Sequence, residues 1–99
     1  MHSPVFLRKL RNDIKIDNLI AKELKIPNKY VEGYFKFLCP VCFEFNTSIK
    51  QETNLGRCFR CKRNFNTIDI VMLVCDLSFL DTVAFLKPFL HDSNGGLLI

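Results

Sequence analysis

Four cysteines constrain this chain more than any other feature. Cys39 and Cys42 form one C-x2-C pair, Cys58 and Cys61 form a second, and fifteen residues separate them. Two such pairs at this spacing bring four sulfurs to one point when each pair sits in a tight turn at the end of a strand. A tetrahedral ion such as zinc takes four thiolates in this way and then has no open position, which makes the metal structural and not catalytic. Two unrelated pairs, or a redox dithiol, are the competing readings. An iron–sulfur centre is a further one, although the spacing matches none of the usual ferredoxin patterns. The fifth cysteine, Cys75, lies among apolar residues and reads as a small core side chain. His2 and His91 are isolated and near the termini, and neither is given a role.

A metal staple suits a chain of 99 residues, which is enough for one small domain with a modest core. No apolar run reaches the roughly 18 residues of a membrane-spanning helix. The first ten residues include Arg8 and Lys9 and lack the apolar stretch of a secretory signal, so an intracellular, reducing setting is expected and the cysteines read as ligands, not disulfides. Four thiolates around one zinc ion carry −2 together. The formal charge of +4 then falls to about +2, too mild for a nucleic-acid tail, so the distribution of charge matters more than its total.

Periodicity supplies the frame around the cysteines. Ile16, Leu19, Ile20 and Leu24 recur at helical spacing with Lys15, Lys22, Glu23 and Lys25 mostly opposite, which predicts a helix over residues 16–26, capped by Asp17 and stopped by Pro27. Residues 30–38 alternate and predict one strand, with Phe35 and Phe37 on one side and Tyr34 and Lys36 on the other. A second strand is expected over residues 45–50 and a third running into Cys58, with a turn over residues 52–56. Residues 66–76 predict a helix capped by Asn66 or Thr67, apolar nearly all round and so well buried. Ser78, with Asp81 three residues on, opens a last helix over residues 79–86 that Pro88 ends. The fold class is α+β: a zinc ribbon with a small antiparallel sheet between an N-terminal helix and two C-terminal helices. Residues 1–13 form an N-terminal segment, 14–90 the domain, and 91–99 a loose tail.

Four stretches resemble the zinc-binding domain of DnaG-type bacterial and phage DNA primases, the CHC-type zinc finger. They are GYFKFLCPVC at 33–42, NTSI at 46–49 beside the family's TPSF, RCFRC at 57–61 beside its CFGC, and IDIVMLVCDLSFLDTVAFL at 68–86. The likeness runs over residues 14–90. It departs at Cys42, where the family usually has His, and after the last ligand, where Lys62, Arg63, Asn64 and Phe65 replace a glycine-rich turn. It implies binding of single-stranded template DNA in primer initiation, beside a separate primase, polymerase or helicase.

No pair of carboxylates suited to magnesium and no phosphate-binding glycine loop occurs in the sequence, so the chain alone is read as non-catalytic. Arg57, Arg60, Lys62 and Arg63 fall in a run, residues 53–68, without any acid. With Lys36, Lys50 and Tyr34 from the strands they make the candidate DNA surface, and Phe59 and Phe65 are the candidate exposed aromatics. The remaining phenylalanines near the pairs, Phe35, Phe37, Phe43 and Phe45, are expected in the core. The competing reading of the cations is a solvated counter-charge to the thiolates. A transcription-regulating ribbon, and an adaptor presenting an apolar face of its final helices, are the alternative functions.

Overall fold

The computed structural model describes residues 3–90; the expected loose tail, His2 and His91 lie outside them. Five short strands follow one another as an antiparallel meander: β1 (Asn28–Val31), β2 (Tyr34–Phe37), β3 (Thr47–Lys50), β4 (Leu55–Cys58) and β5 (Arg63–Phe65). The fold is α+β, as expected. Helix α1 (Pro4–Asn12) precedes a short α2 (Ile16–Asn18) that runs on as a π-helix (Leu19–Glu23). Helices α3 (Thr67–Cys75) and α4 (Phe79–Leu86) follow the sheet, and a 3-10 turn (Lys87–Phe89) is the last element of the described residues.

The single strand expected over residues 30–38 is instead a hairpin. Glu32 and Gly33 both take positive φ, 52° and 84°, the two-residue turn whose twist matches that of the flanking strands. Alternation continues through the turn and hides it. The expected strand over residues 45–50 begins only at Thr47, and β5 adds a strand where a plain turn was expected.

One face of the sheet is the core. Phe35, Phe37, Thr47, Ile49, Gly56, Cys58 and Phe65 are all buried, against apolar side chains from all four helices. Gly56 leaves room for the buried Phe37: a Cβ would stand 3.0 Å from its ring and crowd it. The predicted side preferences of residues 16–26 hold, with Ile16, Leu19 and Ile20 buried and the cations outside. Helix α3 is capped by Asn66 in a reciprocal box with Asp69, and α4 by the Ser78 hydroxyl. Helix α3 is less buried than its composition suggests, because its second half exposes Leu73 and Val74. Cys75 closes that helix, half-buried against the core.

Two buried polar side chains tie the N-terminal helices to the rest. Asn54, at φ 55° in the β3–β4 turn, donates its amide nitrogen to the carbonyls of Arg11 and Ile14 (both 2.7 Å), and its Oδ1 accepts from the Ile16 N–H at 3.0 Å. It thereby satisfies a free donor at the start of α2, the position for which Asp17 was expected; the cap comes from 38 residues away, where no local pattern shows it. The Thr67 hydroxyl donates to the Leu10 carbonyl at 2.6 Å and fixes the end of α1 on α3.

Candidate metal centre and the open face of the sheet

The two cysteine pairs are built alike. In each, the amide four residues after the first cysteine donates back to that cysteine's carbonyl: Phe43 to Cys39 at 3.0 Å and Lys62 to Cys58 at 2.8 Å. Phe43 and Lys62 both take the left-handed conformation, at φ 60° and 55°. In each pair an amide also faces the first sulfur, Val41 N–H on Cys39 and Cys61 N–H on Cys58, both at 3.4 Å. Such N–H groups favour the charged thiolate.

The two turns face each other across the ends of β2, β3 and β4. All four ligand sulfurs lie within 4.8 Å of one another, with Cys39 to Cys61 at 3.8 Å and Cys42 to Cys58 at 3.6 Å. A tetrahedron with Zn–S bonds of 2.3 Å has an edge of roughly 3.8 Å, so the sulfurs are spaced for zinc and well beyond a disulfide bond. Thr47 lies directly opposite Cys58 in the β3–β4 pairing. Its hydroxyl is fully buried and has no hydrogen-bond partner. A buried donor left unpaired across the strand from Cys58 fits a metal-bound thiolate, which would accept from it.

The surroundings act differently on the sulfurs of Cys42, Cys58 and Cys61. Burial raises the Cys58 thiol, but the Cys61 N–H, the Thr47 hydroxyl and the thiols of Cys39 and Cys42 outweigh it and lower it to about 6. Burial and the neighbouring sulfurs push Cys61 up to about 12, and burial also raises Cys42. The surroundings of Cys58 thus favour its thiolate, the form that a metal takes. The filled site supplies structure: a closed four-sulfur shell crosslinks the two knuckles and leaves no position for substrate.

The other face of the sheet is open. Lys29, Lys36, Ser48, Arg57 and Asn64 lie on successive strands and are register partners of one another, so they form one polar row across all five. Lys50 and Tyr34 share this face on neighbouring strands, and Phe59 continues it beyond β4. Tyr34 is 61% exposed and Phe59 63%. A shallow groove of about 420 Å³ runs between them, lined among others by Ser48, Lys50, Glu52 and Arg57.

This placement divides the nine residues singled out from sequence. Tyr34, Lys36, Lys50, Arg57 and Phe59 come together on the open face. Arg60 stands at the tip of the second knuckle, 3.9 Å from Glu44, and Lys62 is the left-handed residue behind it. Arg63 pairs with Cys58 and so lies on the opposite side of the sheet from Arg57, over the ring of Phe65 at 5.2 Å. The four cations near one another in sequence therefore do not form one patch, because a strand alternates sides. Phe65 is no exposed aromatic: it is completely buried, on the inner face opposite Gly56. Phe43, expected in the core, is 70% exposed, since its left-handed backbone turns it outward, and Phe45 is partly exposed beneath Lys29. Phe35 and Phe37 are buried as expected. Sequence reasoning missed Lys29 and Asn64, which join the row only through β1 and β5. The Glu32–Gly33 turn was the available signal for β1.

Fold and site together define a four-cysteine zinc ribbon with helices behind its sheet. A family model described as the CHC2 zinc finger, the DnaG-type zinc ribbon, matches residues 2–93, and the chain belongs to that family. No curated protein sequence matches it.

Proposed function

We propose that the chain binds single-stranded DNA on the open face of its sheet, as the template-recognising ribbon of a primase-type system, and catalyses nothing itself. The row of Lys29, Lys36 and Arg57, flanked by the exposed rings of Tyr34 and Phe59, carries this reading. Cations meet the backbone phosphates while flat rings accept unpaired bases, a combination suited to a single strand and poorly suited to a duplex, whose bases are already stacked. The family membership supports a primase context, with chemistry supplied by a separate polymerase, primase or helicase.

Fluorescence anisotropy with the zinc-loaded chain tests the reading. A labelled single strand should bind more tightly than duplex of equal length. If Lys36, Lys50 and Arg57 each meet one phosphate, the slope of log K against log salt is about −2. Serine at these three positions should flatten the slope and keep the zinc. Serine at Arg60, Lys62 and Arg63 should change it much less. Equal binding of duplex, or a slope untouched by the first triple change, would refute it.

A further inference from the structure

The groove on the open face is lined by two cations, Lys50 and Arg57, yet one end also holds acceptors. Continuing the β2–β3 register two residues beyond the Lys36–Ser48 pair sets Tyr34 across from Lys50, next to the turn that carries Gln51 and Glu52. Tyr34, Gln51 and Glu52 all line the groove. Gln51 donates its side-chain nitrogen to Asp17 Oδ2 at 3.3 Å, which holds the amide and leaves Oε1 as a free acceptor. Glu52 is exposed and adds two carboxylate oxygens. An acid gains nothing from phosphates, so its place in a phosphate-binding groove is better suited to a base.

We propose that Glu52 makes this corner a guanine-reading subsite. The inference rests on single-strand binding at the open face. A base stacked on Tyr34 presents its pairing edge to whatever lies beside the ring. Guanine offers two parallel donors there, N1–H and the N2 amino group, which match the two oxygens of a carboxylate. Cytosine and adenine each offer one amino group beside an acceptor nitrogen. Thymine offers one N–H between two carbonyls, and these would face Glu52 and Gln51 oxygen to oxygen. The acceptor-rich corner therefore favours guanine and disfavours thymine most.

The experiment uses the zinc-loaded chain and a labelled nonamer of thymidylate whose central nucleotide is dT, dC, dA, dG or deoxyinosine. A single guanine avoids self-association of the probe. One well-placed bidentate pair gives roughly tenfold tighter binding of the dG probe than of the dT probe. Deoxyinosine, which lacks the N2 amino group, should lose most of that gain. Glu52→Gln should bring all five probes within about twofold of one another and should not weaken the dT probe, since a negative charge has gone from a basic groove. Glu52→Asp, which keeps the carboxylate, should retain the order with a smaller ratio. Zinc content and circular dichroism of each variant confirm that it is folded. A preference for another base, no preference at all, or a guanine preference unchanged by Glu52→Gln overturns the subsite while leaving single-strand binding intact. Failure of every probe to bind would instead defeat the open-face reading, and the subsite with it.

Discussion

Replacing Asn54 with alanine should be among the most damaging single changes outside the zinc ligands. The side chain makes three hydrogen bonds, at 2.7, 2.7 and 3.0 Å, two of them buried, and all of them to backbone groups of residues 11–16. Each typical bond contributes about 0.5–1.5 kcal/mol net, and a buried group left unpaired costs about 1–3 kcal/mol. Alanine at a left-handed position adds about 1–2 kcal/mol. Together the loss is about 3–5 kcal/mol, against the 5–15 kcal/mol that small domains have in total. For a domain of this size that is a drop in Tm of at least about 12 °C. Urea unfolding followed by circular dichroism, in excess zinc and with the metal content measured, reads it directly. Asn54→Gly removes the backbone strain and keeps the lost bonds, so it should be the milder variant by about 1 kcal/mol. Asn54→Asp keeps Oδ1 but sets a carboxylate against two carbonyls, and should be no better than alanine. If Asn54→Ala unfolds within 1 kcal/mol of the unaltered chain, the turn does not hold the N-terminal helices as described.

Serine at Cys39, Cys42, Cys58 or Cys61, or stripping the metal with a chelator, should abolish the folded state, whereas alanine at half-buried Cys75 should cost about 1 kcal/mol; metal analysis and unfolding curves separate the two classes. Phe59, inside the last cysteine pair, and Phe65, just after it, should behave oppositely. Phe65→Ala should destabilise the fold by about 3–5 kcal/mol, while Phe59→Ala should leave stability nearly unchanged and weaken single-strand binding by about 1–3 kcal/mol without altering the salt slope. Lys62→Gly should raise stability by up to about 1 kcal/mol, since glycine takes φ 55° without strain; a destabilised variant in thermal unfolding would count against that account of the second knuckle.

The cysteine pairs determined a great deal by themselves. Ligand spacing is a local property, and four thiolates at this separation leave few arrangements other than two facing knuckles around one ion. The two C-terminal helices with their Asn66 and Ser78 caps were equally legible, because a cap and the amide it accepts from lie within three residues, whereas α1 was read only as an N-terminal segment. What the sequence left open depended on partners far along the chain. Asn54 reads as an ordinary turn residue until residues 11–16 fold against it. Phe43, Phe59 and Phe65 look alike beside their cysteines, yet one is turned out by a left-handed backbone, one continues the open face and one is buried under the helices. The run of cations after residue 56 read as one patch along the chain, and strand alternation divided it between two faces. Only the tertiary structure could assemble the row from Lys29 to Asn64, since neighbours across a sheet are set by strand register, and register is fixed by which face must be buried.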